Sequence, residues 1–242
     1  MGGNKVIAIA GASSGTGAAL AKYLARHGHA VSLCARREIN LHEIRDAITA
    51  DGGKAMALKA DMSVWEEAER FVQRTVRDFG RIDVLVNNAG AGIRYGNFAS
   101  LSIAEIDEGV TVNLLTVLYG CRAVLPYMIE QGRGHIINTS SAWGKQARKG
   151  LAVYSAARHA VEGFSRALLQ EVSKYGIKVS ILAPAAIDSE WAHKCGMDNG
   201  ERGRWLKPAD IAALIGQLID APAGVNIWNL DCLSMDQPAD SP

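Results

Sequence analysis

Tyr154 and Arg158 stand four residues apart in a stretch, Val153 to Tyr175, whose apolar residues recur at helical spacing. Their side chains therefore share one helix face, a single turn apart. A phenol can deliver or remove a proton, and a serine hydroxyl can hold an oxygen on which charge develops. Ser141 supplies such a hydroxyl just beyond the apolar run His135 to Thr139. A second group is built for binding. Gly11, Gly15 and Gly17, with Ser13, Ser14 and Thr16 among them, lie between the apolar run Lys5 to Ala10 and the helical pattern Ala18 to His27. A turn of that kind, opening a helix, presents unpaired N–H groups to a pyrophosphate. Arg36 and Arg37 follow the run Ala30 to Ala35, where a carboxylate would bind both ribose hydroxyls of NAD and repel a phosphate. Ala35 occupies that position and two guanidinium forks follow it, so the pair suits the 2′-phosphate of NADP(H). The same arginines could also simply solvate a loop.

The elements that would position these groups alternate along the chain. Strands are predicted at Lys5–Ala10, Ala30–Ala35, Ala55–Lys59, Val84–Asn87, His135–Thr139, Lys178–Ala183 and Val225–Leu230. Helices are predicted at Ala18–His27, Leu41–Ala50, Val64–Phe79, Ile103–Gln131 as one long helix, Val153–Tyr175 and Ile211–Ile219. Strands joined by helical crossovers form a doubly wound, mostly parallel Rossmann sheet of seven strands with helices on both faces. One domain spans residues 1–242. The segment 185–207 has no clear period and holds Trp191, Gly196, Gly200, Gly203 and Trp205, as a substrate lid would.

The spacing Gly11-x-x-x-Gly15-x-Gly17 resembles the glycine motif of the short-chain dehydrogenase/reductase family. Asn87-Asn88-Ala89-Gly90 resembles its N-N-A-G, and Tyr154-x-x-x-Arg158 its Y-x-x-x-K with arginine in place of lysine. The resemblance runs from Lys5 to about Val225. It implies that Tyr154 is the acid/base, and that Ser141, thirteen residues before it, orients the substrate oxygen in preference to Ser140. Asn113 matches the asparagine that continues a proton relay through water. Asp61 and Met62 would meet the adenine, although Asp61 also suits a helix cap. Asn88, Ala89 and Gly90 would pass under the adenosine ribose. Pro184-Ala185-Ala186-Ile187-Asp188-Ser189 resembles P-G-x-V-x-T, with Pro184, Ile187 and Ser189 fitting. Ala185 replaces the glycine, which matters if a positive φ is needed there. The family's lysine favours phenolate and binds the nicotinamide ribose. Arg158 keeps the charge and can donate to ribose hydroxyls, yet it practically never deprotonates.

The implied activity is NADP(H)-dependent hydride transfer between a carbonyl and an alcohol on a small molecule. The alternative is a redox-impaired or non-redox protein on the same fold, an isomerase, a lyase or a nucleotide-binding regulatory module, because of Arg158 and Ala185. Composition agrees with small-molecule chemistry. The formal net charge of the 242 residues is +1, which leaves no footprint for nucleic acid or an anionic membrane. The four cysteines lie far apart with no metal spacing, and the apolar run near Met1 is too short for a signal peptide, so a cytoplasmic protein is expected. No metal is expected. Substrate-side candidates are Ile93, Arg94, Tyr95, Trp143, Lys145, Gln146, Arg148, Trp191 and Trp205, whose cations, with Lys149, could attract an anion or could simply be solvated. Leu114, Leu115, Val117, Leu118, Leu168 and Leu169 exceed what one sheet face can cover, and the resemblance implies a dimer or tetramer through these helices.

Overall fold

The computed structural model describes residues 3–91, 93–190 and 205–236. Seven strands form one sheet: β1 (Val6–Ala10), β2 (Ala30–Ala35), β3 (Lys54–Lys59), β4 (Val84–Asn87), β5 (Gly134–Thr139), β6 (Ile177–Pro184) and β7 (Asn229–Cys232). Their order is β3-β2-β1-β4-β5-β6-β7 and every pairing is parallel. The chain winds outward from β1 in one direction and returns to β4 for the other. The switch between them leaves a crevice at the C-terminal ends of β1 and β4.

The two-residue period of β1 divides the core. Ile7 and Ile9 face one side with Val31 and Leu33, packed on helices α1 (Gly15–Arg26), α2 (Glu38–Ala50) and α7 (Pro208–Asp220). Ala8, Ala10 and Leu85 face the other, under α3 (Trp65–Phe79), α5 (Thr116–Gln131) and α6 (Ala152–Val172). All five residues of β1 are buried, which is why this run is apolar without interruption.

The structure differs from the sequence expectations at several boundaries. The helix expected over 103–131 is broken into α4 (Ile103–Val110), a π-helical turn Thr111–Leu115 and α5. The turn is held from inside: Asn113 Nδ2 donates to Gly109 O and Thr116 Oγ1 to Val112 O. Such a bulge leaves no trace in a 3.6-residue pattern and is often found at functional sites. By composition the stretch is apolar and long enough to cross a membrane, but half of its most apolar window is buried in the fold, as in a core helix. The last strand begins at Asn229, not Val225. Lys178 Nζ binds the carbonyls of Ala221, Pro222 and Val225, and Asn226 Nδ2 binds that of Val179, which holds 221–228 as a loop. Helix α1 opens at Gly15, three residues before the apolar pattern, because its first turn is glycine-rich and polar. Pro208 at the start of α7 likewise precedes the periodic residues, in the position where a missing N–H is harmless.

His135 gives the core a pH dependence. Ser180 Oγ donates to Ile227 O, so His135 Nε2, 2.8 Å away, is the donor to Ser180, and its Nδ1 is buried with no partner. Burial, assisted by Lys178 and Lys5, pushes the imidazole down to about 3 from an ordinary 6.5. The unfolded chain therefore binds a proton below about 6.5 that the folded chain refuses until about 3. Stability is complete above that window and falls as pH drops through it, by up to about 1.4 kcal/mol per pH unit. Urea unfolding midpoints between pH 7 and 5 should fall less steeply for His135→Gln than for wild type; parallel slopes would remove His135 as the cause.

Candidate active site

A cleft of about 290 Å³ opens at the crevice. Its floor starts with the glycine turn. Gly11 and Gly15 have φ of 79° and 52°, and a Cβ on Gly11 would lie 2.8 Å from the Cα of Ala89, so only glycine allows the β1 and β4 turns to approach. Gly17 stands behind the wall: a Cβ there would lie 2.2 Å from Gly11 O, so this glycine seats α1 and does not line the cleft. Ser14 precedes α1 with extended backbone and makes no side-chain cap, and no acidic residue occupies the first turn. The N–H groups that open α1 thus face the cleft with the positive end of the helix dipole.

Ser13, Ser14, Gly15 and Thr16 form this end of the cleft, and Arg36 and Arg37 close it beyond β2. Asp61 and Met62 follow β3. Asp61 Oδ1 accepts from the N–H and hydroxyl of Ser63, so it shapes the turn into α3 as well as lining the cleft. Asn88, Ala89 and Gly90 continue from β4, with Asn88 Nδ2 donating to Gly11 O across the turn at 3.2 Å. From β6 come Pro184, Ala185, Ile187 and Ser189. No described residue other than glycine has a positive φ, so Ala185 takes an ordinary backbone and donates its N–H to Cys232 O at 2.8 Å. The positive φ on which the concern about Ala185 depended is not adopted there.

Tyr154, Ser141 and Arg158 meet at the other end. Ser141 lies two residues beyond β5, where its Oγ accepts from Trp143 N at 3.2 Å and lies 3.5 Å from Pro184 O. Tyr154 is buried, with its ring edge-on to Trp143 at 6.2 Å and under the Arg158 guanidinium at 5.1 Å. Ser140 also lines the cleft, but its Oγ is engaged, donating to Arg158 O at 3.3 Å. Asn138, within β5, donates to Ser165 of α6 and accepts from Asn87 of β4, both at 2.9 Å, which locks the two strands under the helix.

Arg158 is only 4% exposed. Its Nη1 donates to Thr139 O at 2.7 Å and its Nη2 to Asn113 Oδ1 at 3.0 Å, while Nε is buried without a partner. Asn113 also accepts from Ala91 N and donates to Ala91 O and Gly109 O. Both donors and both acceptor positions of its side chain are thereby used, and the side chain is fully buried. The space above Arg158 is equally tight, for a Cβ on Gly90 would lie 2.3 Å from Nη2.

On the substrate side Arg94 is paired with Glu105 at 2.8 Å and Lys145 with Asp231. Arg148 lies 5.0 Å over the Trp143 ring, and Ile93 is buried beside Trp143 and Tyr154. Trp191 and residues 192–204 of the expected lid lie outside the described residues. Its two ends are joined by a bridge between Ile187 and Leu206 and by Asp188–Lys207 at 3.0 Å. Glu190, which sequence reasoning passed over, also lines the cleft. Among the described residues no His, Cys, Asp and Glu cluster could hold a metal, and Cys34, Cys121 and Cys232 are buried thiols.

The glycine cradle and the open helix end fit a dinucleotide. The model of the short chain dehydrogenase family matches residues 5–200. An uncharacterised oxidoreductase of Listeria monocytogenes is 35% identical over 97% of this chain and 98% of its own. An alcohol dehydrogenase of Thermococcus sibiricus, solved with 5-hydroxy-NADP, superposes with a TM-score of 0.90, at 29% identity over 98% and 99% of the two chains. A 3-ketoacyl-(acyl-carrier-protein) reductase of Brucella melitensis, solved with NADH, does so at 0.87, with 30% identity over 94% and 96%.

Proposed function

The chain belongs to the short chain dehydrogenase family of oxidoreductases, and we propose that within it the protein is an NADP(H)-dependent enzyme interconverting a carbonyl and an alcohol on a small molecule. The convergence of Tyr154 and Ser141 on one end of a cleft whose other end carries Arg36 and Arg37 is the observation that carries this reading. Gly11, Gly15 and the N-terminus of α1 would hold the pyrophosphate. Arg36 and Arg37 would meet the 2′-phosphate, and Asn88 to Gly90 the adenosine ribose. Pro184, Ala185, Ile187 and Ser189 would border the nicotinamide. When bound, the nicotinamide supplies or accepts the hydride. Ser141 Oγ holds the substrate oxygen, and Tyr154 gives that oxygen its proton in reduction and removes it in oxidation. Arg158 keeps positive charge beside the Tyr154 ring. The buried pair Ile93 and Trp143 favours a substrate with an apolar body next to the reacting carbon.

Mixing the protein with NADPH and a panel of ketones and aldehydes, and following the loss of reduced-nicotinamide absorbance, tests the reaction. Turnover with none of them would sink it in favour of the second reading, a redox-impaired member of the family. Arg158, a guanidinium that practically never deprotonates and is held by Thr139 O and Asn113 Oδ1, supports that second reading. Cofactor choice is tested separately. NADPH should bind more tightly than NADH, and Arg36→Asp, at an exposed position on the cleft, should weaken NADPH by about tenfold or more while sparing NADH. Equal affinity of wild type for both would remove the 2′-phosphate role. Half-buried Leu114, Leu115, Leu118 and Leu169 on α5, its preceding turn and α6 suit contact with a second copy in a dimer or tetramer. A reducing cytoplasm suits the buried free thiols.

A further inference from the structure

At the β2 end of the cleft, Arg37 joins groups from its two sides. Its Nη1 donates to Glu190 Oε2 at 2.8 Å, and its Nη2 donates to Ser14 Oγ. Ser14 belongs to the glycine turn and immediately precedes α1, whereas Glu190 follows β6. The segment before Glu190 lies over the same turn: Ser189 Cβ is 3.4 Å from where a Cβ on Gly15 would stand. The Glu190 carboxylate therefore occupies one arm of a guanidinium whose other arm holds the hydroxyl that precedes the positive end of a helix. That is the environment in which an anionic oxygen is best satisfied. Arg36, next to it, has no ion-pair partner among the described residues.

A carboxylate oxygen and a phosphate oxygen make the same demand on a guanidinium, and one Nη1 cannot serve both in line. We propose that Glu190 is a specificity-determining residue that stands in for the 2′-phosphate on Arg37, so that NADP(H) binds by exchange for this carboxylate. The inference rests on the reading of Arg37 as a 2′-phosphate ligand. A cofactor with a hydroxyl at that position leaves the Arg37–Glu190 pair intact; a cofactor with a phosphate must separate it and then lies near a displaced negative charge. Glu190 thus works against NADP(H) selectively. The side chains are 40% and 53% exposed, so the pair is weakened by solvent and the handicap is several-fold, not orders of magnitude. The segment keeps its other anchors during the exchange, since Asp188 N bonds Leu206 O at 2.8 Å and Asp188 pairs with Lys207.

Binding calorimetry with adenosine 2′,5′-bisphosphate, 5′-AMP, NADPH and NADH tests the exchange without requiring turnover. Glu190→Gln should tighten the bisphosphate and NADPH by about three- to tenfold and leave 5′-AMP and NADH within about twofold. In an Arg37→Met background the same change should have no effect, because the site of competition is gone. Unchanged bisphosphate affinity in Glu190→Gln, or an equal gain for 5′-AMP, overturns the inference. If wild type prefers NADPH and Arg37→Met loses that preference while Glu190→Gln behaves as wild type, the exchange fails and the cofactor reading stands. If wild type prefers NADH but Glu190→Gln moves toward NADPH, the exchange stands and the NADP(H) preference fails.

Discussion

Tyr154→Phe is expected to lower turnover by about 10²- to 10⁴-fold, equivalent to about 3–5 kcal/mol of transition-state stabilisation, while leaving NADPH affinity within about twofold. The expectation follows from what the substitution keeps. The ring is buried edge-on to Trp143, with Arg158 on its face, and phenylalanine preserves both contacts and the packing of Leu151 and Val153 around them. Only the hydroxyl is lost, and the cofactor's proposed anchors lie along the glycine turn and the β2 end of the cleft. Ser141→Ala should act in the same direction but less severely, since it removes a hydrogen bond to the substrate oxygen and not the proton donor. Single-turnover rates with NADPH and any reducible ketone, compared with NADPH titrations, separate the two effects. Turnover by Tyr154→Phe at the wild-type rate would take the phenol out of the reaction.

How far the sequence could disclose the site depends on which interactions are local. Tyr154 and Arg158 share a helix face by spacing alone, and the glycine turn lies between a strand and a helix that both carry strong periods, so these groups could be placed without coordinates. The parallel sheet was legible for the same reason, because its buried strands are continuous apolar runs separated by amphipathic helices. What escaped is non-local. Glu190 meets Arg37 across 153 residues of chain, and an exposed glutamate in an aperiodic segment carries no mark of its partner. Gly17 reads as part of a phosphate motif, whereas its neighbour is the backbone of Gly11; close packing and ligand approach demand the same absent side chain. The π turn at Thr111–Leu115 was hidden by the apolar residues around it, which fit one long helix equally well. Resemblance alone singles out Asn113, and the side-chain bonds that tie it to Arg158, Ala91 and Gly109 leave no mark in the sequence.

Arg158 is where charge and proton transfer make different demands, and substitution separates them. The guanidinium fills its site completely: Nη1 holds Thr139 O, Nη2 holds Asn113 Oδ1, and Gly90 packs against Nη2. Lysine is shorter and presents one ammonium, so Arg158→Lys keeps the positive charge near the Tyr154 ring and vacates the volume of the outer guanidinium. Asn113 Oδ1 then loses its charged donor and can accept from a water in that volume, which would reopen a path for protons. Arg158→Lys should therefore raise kcat for carbonyl reduction, by about three- to tenfold. Arg158→Met removes the charge and leaves Thr139 O and part of Asn113 without a donor. That variant should lose about tenfold or more in kcat and also unfold at lower urea, with a loss of about 1–3 kcal/mol for the buried acceptors. The expected ranking is lysine, then arginine, then methionine. A solvent isotope effect on kcat that changes between wild type and Arg158→Lys would locate the difference in proton transfer, because a change in packing alone would leave it unaltered. If wild type reduces carbonyls faster than Arg158→Lys and the isotope effect is the same in both, the site is adapted to the guanidinium and its direct bond to Asn113 is no obstruction.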